Sequence, residues 1–199
     1  PYEFSDITGL KYIDKSIDCG DYTIQGYEGE IVIERKEVND FYSSITHNRV
    51  RFDKMWDRCK NAKFKGLLIE AKEDELYCPE MSWSGVNPNS VYGSIVGFEI
   101  KNNVHVYCNT REMCRQRLIH WLVKFYKEKK EEMTKEKEDI FIAGMANSNY
   151  VHMDDTGMKH KGINHHLHVI CNFLFSVFFI ELKKDSKTIQ KILGLINNK

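Results

Sequence analysis

The stretch from Gly20 to Asp40, GDYTIQGYEGEIVIERKEVND, constrains the fold most, because its periodicity changes from strand-like to helix-like within it. Residues 20–25 and 30–36 alternate in the manner of β-strands, and Gly26 and Gly29 stand between them. Apolar side chains at helical spacing follow at once. The sequence therefore predicts a β-hairpin that leads directly into a helix.

The pattern that follows the hairpin predicts an α/β fold. Two amphipathic helices are indicated, and their apolar stripes comprise Val38, Phe41, Tyr42 and Ile45, and then Phe52, Met55, Trp56 and Cys59. The apolar run at 64–71 is too short for a helix and predicts a buried strand, joined to the first by a parallel crossover. A polar loop is predicted at 72–89. A helix with two glycines one turn apart, a strand at 104–108 and a long helix capped by Asn109 follow.

A change of composition near residue 130 predicts a domain boundary. Alternating Lys and Glu residues at 124–139 are typical of a solvated helix end or a linker. We therefore expect a main domain at 1–131 and, at 132–199, a charged linker with an extension whose structure the sequence does not define. The apolar run at 168–180 is shorter than the roughly 20 residues of a spanning helix. We expect it to be a buried helix or strand, without a membrane partner.

Composition narrows the function classes only slightly. The formal net charge of the 199 residues is zero, so a nucleic-acid partner must be met by a local basic patch. The six cysteines show neither a C-x-x-C pair nor the density of a secreted scaffold, and we expect free thiols in a reducing compartment. Residues 1–11 carry acids and lack the apolar segment of a signal peptide. We therefore expect an intracellular protein of the cytoplasm or nucleus.

Three charged residues of the central stretch predict a metal site. Glu34 and Lys36 are two positions apart, so in a strand they share one face while Arg35 lies on the other. If Asp21 lies on the partner strand, its carboxylate approaches Glu34, and the two anions favour a shared cation. Mg²⁺ suits such a pair, and a water activated by it, with Lys36 beside it, would hydrolyse a phosphodiester. An exposed cross-strand charge pair and a turn aspartate explain the same residues without any site.

The central stretch also contains a complete motif, G-D, a variable spacer and E-R-K-x-x-x-D. Its residues are Gly20, Asp21, Glu34, Arg35, Lys36 and Asp40. This motif resembles that of the nuclease domains of the XPF and Mus-type structure-selective endonucleases, in the restriction-endonuclease-like PD-(D/E)XK group. The resemblance continues through SSIT at 43–46, LLIEA at 67–71, SVYGS at 90–94 and NTRE at 109–112. It covers roughly residues 1–126.

The resemblance implies a restriction-endonuclease-like α/β fold with a mixed central sheet flanked by helices. It implies that Asp21 and Glu34 bind Mg²⁺, with Mn²⁺ as a substitute. Lys36 is then the catalytic lysine, and Arg35 a second essential basic group. Asp40 is implied to support the site from the start of the following helix, although the helix dipole alone explains an acid there.

The resemblance also implies a partner and a biological setting. The implied substrate is DNA, branched or at a junction of single and double strands, in repair or recombination, and the implied assembly is a homodimer or heterodimer. The alternative function is a catalytically weak or inactive DNA-binding or dimerisation module of the same fold. Family members carry a D-x-R-E motif on a strand before a segment like residues 1–4. We expect either that such a strand precedes Pro1 in the full protein or that the fold does without it.

A local excess of basic residues follows the motif and predicts contacts with phosphate. Arg51, Lys54 and Arg58 recur on one helix face, opposite the apolar stripe, and Arg49 lies nearby. A solvated basic face is the alternative interpretation. Glu70 ends a predicted strand, where it is either a third carboxylate of the site or a residue facing solvent.

The last candidate is a His-rich patch before the apolar run at 168–180. Its residues are His160, His165, His166, His168 and Cys171. Their spacing matches no established zinc finger, and we interpret them as exposed polar residues rather than as a Zn²⁺ site.

Overall fold

The computed structural model describes residues 2–5, 7, 10–77, 86–147, 152–171 and 176–194. The chain divides into two compact units, Pro1–Lys127 and Glu128–Lys199. The elements of the first unit are β1 (Ile31–Glu37), α1 (Val38–Ile45), α2 (Arg49–Arg58), β2 (Phe64–Glu70), α3 (Glu73–Tyr77), α4 (Pro88–Asn102), β3 (His105–Asn109) and the beginning of α5 (Arg111–Ala146). The second unit holds the rest of α5, β4 (His152–His160), β5 (Ile163–Cys171), β6 (Ser176–Glu181) and α6 (Ser186–Gly194). The Lys- and Glu-rich segment is thus helical, and the division falls within α5.

The described strands of the first unit form a parallel sheet in the order β1-β2-β3. The register aligns Lys36 with Ile69 and Ile69 with Cys108, so these three residues lie in one row across the sheet. Helices make the connections between the strands, because parallel strands need crossovers. The α/β fold that the sequence predicts, a central sheet flanked by helices, is confirmed.

Strand β1 separates two hydrophobic cores. Val32 faces a core built with α1, α2 and α4, whereas Ile31 and Ile33 face a core built with α5 and the first residues of the chain. The predicted apolar stripe of α2 lies in the first core. In the second core, Gly66 makes room for the Trp121 ring, since a Cβ there would come within 2.7 Å of it. Successive residues of β1 therefore enter different environments.

The predicted hairpin is reduced to a single antiparallel bridge between Tyr22 and Ile33. The Ile33 carbonyl accepts from the backbone N–H groups of Asp21 and Tyr22, and the Ile33 N–H donates to the Tyr22 carbonyl. Beside the bridge, the Thr23 hydroxyl donates to the Ile31 carbonyl at 2.7 Å. The prediction of a first hairpin strand is therefore wrong, because backbone pairing stops after this one bridge and the next hydrogen bond to β1 comes from the Thr23 side chain.

The predicted loop at 72–89 contains α3 and the first residues of α4, and residues 78–85 lie outside the described part of the chain. The Asn87 side chain caps α4 by accepting from the Asn89 N–H at 2.9 Å, and Pro88 opens the helix. This polar segment is therefore partly helical.

Two details concern helix packing and capping. An added Cβ at Gly93 or Gly97 of α4 would meet no described atom within 4 Å, so these glycines do not mark a close contact with the described residues. At the start of α5, the Thr110 hydroxyl accepts from the Met113 N–H at 3.4 Å, while the Asn109 side chain accepts from the Thr110 N–H. The cap of α5 is therefore Thr110 rather than Asn109.

Cys19 and Cys59 form a disulfide, with Cα atoms 6.2 Å apart, a usual separation for such a bond. The prediction that all the cysteines are free thiols is wrong for this pair. The free cysteines of the described residues are Cys108, Cys114 and Cys171, and Cys78 lies outside the described part.

The second unit contains the antiparallel sheet β4-β5-β6 and a small core of Phe141, Ile170 and Ile192. The described part of the apolar run at 168–180 is strand, and Phe178 within it is 61% exposed. Among the described helices, none has both the length and the apolar character needed to cross a membrane.

Candidate active site

Glu34 and Lys36 lie together on the face of β1 that carries the first core. The Glu34 carboxylate accepts an ion-paired hydrogen bond from Lys36, with 2.6 Å between Oε1 and Nζ. The Glu34 side chain is only 9% exposed. Lys36 Nζ also lies 5.6 Å from the centre of the Phe52 ring on α2. The alternation of the strand therefore places both side chains on one face, as the sequence predicts, and the structure adds that the acid is buried and the ammonium half-buried.

Asp21 is held at the edge of β1 by the backbone. Gly20 has φ +73°, and an added Cβ would come within 2.6 Å of Val32, so this position requires glycine. The Asp21 N–H donates to the Ile33 carbonyl at 2.9 Å, and the Asp21 carboxylate accepts from the Arg35 N–H at 2.8 Å. Asp21 therefore pairs with the residues on either side of Glu34.

The electrostatics of Glu34 favour a bound cation. Burial raises the pKa of the Glu34 carboxyl, the negative charge of Asp21 raises it further, and the Lys36 ammonium lowers it without cancelling the other two effects. The two carboxylates are thus close enough to disfavour their joint ionisation. A divalent cation between them would remove this repulsion. The described residues contain no group of three or more His, Cys, Asp or Glu that could hold a metal ion.

Arg35 extends from the opposite face of β1 into a separate charged cluster. Its guanidinium lies 2.9 Å from Glu37 and 3.6 Å from Glu70, and Arg111 lies 3.2 Å from Glu70. The Tyr2 ring contacts both guanidinium groups, at 5.6 Å for Arg35 and 5.3 Å for Arg111. We call these five residues the Arg35 cluster. It ties the ends of β1 and β2 to the start of α5.

Glu70 therefore has neither of its predicted roles. Its side chain is 6% exposed, so it does not face solvent, and its guanidinium partners place it across the sheet from Glu34. Sequence reasoning also missed Glu37 and Arg111. The only available signal for Arg111 was its place at the end of a predicted strand, in NTRE.

Asp40 lies in the first turn of α1. Its backbone carbonyl accepts from the Ser44 hydroxyl at 2.7 Å. The contacts found among the described residues do not join the Asp40 carboxylate to Asp21, Glu34 or Lys36. Its role in the site stays a prediction.

The four predicted phosphate-binding residues of α2 fall into two groups. Arg49 is engaged within the fold, since it pairs with Asp53 at 3.1 Å and donates to Ser94 on α4 at 2.8 Å. Its guanidinium also covers the Phe98 ring at 4.9 Å. The other three, Arg51, Lys54 and Arg58, are exposed and have no side-chain partner among the described residues. Of the four, only these three present a charge to solvent that is unpaired among the described residues.

The His-rich patch has mixed surroundings. His168 is 1% exposed, and its Nε2 lies 3.3 Å from the Lys183 carbonyl. His166 lies 4.0 Å from Asp155. The expectation of uniformly exposed polar residues is therefore wrong, because β5 directs His166 and His168 to the face that also carries the buried Ile170.

The raised pKa of Glu34 leads to a prediction about stability. The Glu34 carboxyl has an ordinary pKa in the unfolded chain and a raised pKa in the folded protein. As the pH rises from the ordinary pKa through the raised pKa, the folded protein therefore loses stability relative to the unfolded chain. We therefore expect Glu34→Gln to raise the free energy of unfolding of the metal-free protein, and to do so more at about pH 8 than at about pH 5. Chemical denaturation in EDTA measures this. Glu112→Gln, at an exposed acid of α5, is the control, and a benefit of Glu34→Gln that does not grow with pH contradicts the prediction.

Comparison with known proteins identifies the family. The model of the ERCC4 domain matches residues 2–125, which include every residue of the site on β1, α1 and α2. Among solved structures, XPF from Aeropyrum pernix is 14% identical with a TM-score of 0.43, over 65% of this chain and 60% of that chain. XPF from Aeropyrum pernix in complex with DNA is 16% identical with a TM-score of 0.44, over 57% of this chain and 52% of that chain. No curated protein matches significantly.

The compared XPF chains are thus matched over less than two thirds of their own length. The family match, in contrast, spans well over half of this chain. It confirms the resemblance to XPF-type nuclease domains that the sequence motif suggests. The chain belongs to the ERCC4-domain family.

Proposed function

We propose that this chain is a Mg²⁺-dependent endonuclease that hydrolyses phosphodiester bonds in DNA. The observation that carries the proposal is the buried Glu34 carboxylate, which is paired with Lys36 and has its pKa raised by burial and by Asp21. A buried acid held beside a second acid is unfavourable in the free protein, and a cation makes it favourable. Membership of a family with nuclease members supports the same conclusion.

In the proposed reaction, Asp21 and Glu34 are the metal ligands. When bound, Mg²⁺, or Mn²⁺ in its place, lowers the pKa of a coordinated water and neutralises charge on the phosphoryl oxygens. With Glu34 held by the cation, the Lys36 ammonium would be able to donate hydrogen bonds to the attacking water or to a phosphoryl oxygen. Packing against Phe52 keeps the ammonium near the carboxylates.

Arg35 and Asp40 have supporting roles in this proposal. The Arg35 backbone N–H fixes the Asp21 carboxylate, and its side chain is held by Glu37 and Glu70 on the other face of the sheet. Arg35 therefore acts as a positioning residue for the ligand strand. Asp40 acts from the first turn of α1, next to the end of β1.

The proposed substrate is DNA with a branch or a junction between single and double strands, in repair or recombination. The exposed cations of α2 supply sequence-independent contacts with phosphate. We place the nuclease domain at 1–131 and the extension at 132–199, and we expect a homodimer or heterodimer inside the cell. A catalytically weak DNA-binding module is the second candidate, because only two acids, Asp21 and Glu34, are linked to the site by the described contacts.

Cleavage assays test the proposed activity. We expect the protein to cut branched DNA with Mg²⁺ or Mn²⁺ and not with EDTA. Asp21→Asn, Glu34→Gln and Lys36→Ala should each lower the rate by about 100-fold or more, because each removes a metal ligand or a charge that stabilises the transition state. Lys101→Ala, on an exposed lysine of α4, is the control. The proposal fails if the wild type cuts no better than Glu34→Gln or Lys36→Ala.

The two groups of cations on α2 should respond differently to mutation. We expect Lys54→Ala with Arg58→Ala to lower the slope of log affinity against log salt concentration by about two, because two phosphate contacts are lost. Arg49→Ala should instead lower the free energy of unfolding by about 1 kcal/mol and leave the slope nearly unchanged. Titrations of duplex DNA at several salt concentrations measure the slope. The matched control is the double variant Lys135→Ala with Lys137→Ala. If the control and the α2 double variant give the same slope, α2 does not contact the DNA.

A further inference from the structure

A cavity of about 450 Å³ lies between α3, α4 and β3, outside the site on β1. This volume falls within the range of small-ligand pockets. Cys108 of β3 and apolar residues of α4 line it, and Cys108 also packs against the first core. Burial raises the pKa of the Cys108 thiol to about 12, so this sulfur is a protonated, inert part of the wall rather than a nucleophile or a metal ligand.

Two aromatic rings and two carboxylates give the cavity its chemistry. The rings of Tyr77 and Tyr92 are 6.0 Å apart and tilted by 58°, and Tyr92 is 61% exposed. Glu73 and Glu99 line the same cavity, and they have no side-chain partner among the described residues. Among the described residues that line the cavity, Lys72 is the only cation. Aromatic faces stack with nucleobases, and carboxylates accept hydrogen bonds from exocyclic amino groups.

The charge of the cavity selects which part of a nucleotide can enter. Two carboxylates against one ammonium disfavour a phosphate, whereas a base is neutral and carries hydrogen-bond donors. A base would therefore occupy the cavity while its backbone stays outside.

The cavity lies on the same side of the sheet as the candidate metal site. Lys36, Ile69 and Cys108 lie in one row of the sheet, and their side chains belong to the face of the first core. Two strand spacings separate β1 from β3 by about 10 Å, which is the length of about three stacked nucleotides.

We propose that the Tyr77–Tyr92 cavity binds an unpaired nucleobase that carries an exocyclic amino group, from the single-stranded part of a DNA substrate held at Asp21 and Glu34. This inference rests on the proposed function, because it takes DNA as the substrate. It adds a preference for substrates whose unpaired strand contains cytosine or adenine over thymine, which lacks the amino group.

The test compares two labelled DNAs, each a hairpin duplex with a single-stranded tail, one of cytosines and one of thymines. The tails match in length and ring size. Where cytosine has the exocyclic amino group and an N3 acceptor, thymine has a carbonyl, an N3–H donor and a 5-methyl group. Binding is measured by fluorescence anisotropy with Mg²⁺ in the Lys36→Ala background, so that the cation is present while cleavage is suppressed. We expect this protein to bind the cytosine tail about tenfold more tightly than the thymine tail.

Two variants and a control locate the preference. Glu73→Gln with Glu99→Gln should reduce the preference to about twofold or less, because glutamine also donates and pairs with thymine. Tyr92→Ala should weaken binding of both tails about tenfold by removing a stacking surface. Tyr12→Ala, at a tyrosine that is 62% exposed, should change neither value.

The outcomes separate this inference from the proposed nuclease activity. Equal affinity for the two tails, or a preference that survives both substitutions, overturns the cavity proposal even if the protein still cuts DNA with Mg²⁺. A preference that depends on Glu73 and Glu99 supports it even if no cleavage occurs. The same variants are tested with an oligoarginine peptide. If the substitutions at Glu73 and Glu99 weaken the binding of this peptide but not the binding of the tails, the cavity binds a cationic protein partner and the proposal is wrong.

Discussion

The antiparallel bridge between Tyr22 and Ile33 is the contact on which the rest of the site depends. Asp21 precedes the bridge by one residue and Glu34 follows it by one, so a single pair of strand-like residues brings the two acids together. Gly20 makes the close approach possible, since its positive φ and missing Cβ let the chain pass against Val32. Backbone geometry therefore places the two acidic residues side by side.

The two faces of β1 carry different charged groups of the site. One face carries Glu34 and Lys36 against the first core, and the other carries Arg35, which is braced by Glu37 and Glu70. The Arg35 cluster fixes the end of the strand through several ion pairs. The buried acid is left with a raised pKa beside a second acid. The acid pair thus lowers the stability of the fold at the place where a cation is expected to bind, and the ion pairs of the Arg35 cluster support the fold on the other face of the sheet.

Much of this arrangement could be predicted from local sequence, and the remainder depends on distant contacts. Strand alternation correctly assigned Glu34 and Lys36 to one face, and helical periodicity correctly assigned the core stripe of α2. The hairpin was wrong because the Thr23 hydroxyl ends the pairing, which periodicity does not reveal. The partners of Glu70 and Arg49 come from other elements, and Cys19 and Cys59 are 40 residues apart, so no local pattern indicated them.

The proposed nuclease activity requires that Asp21 and Glu34 share one divalent cation. The most direct test is a crystal structure of the protein with Mn²⁺, in which anomalous scattering locates the metal. We expect one Mn²⁺ bound by the carboxylates of both residues, with Lys36 released from its pairing with Glu34. Mn²⁺ that binds elsewhere, while the Glu34–Lys36 ion pair remains as it is in the free protein, would contradict it.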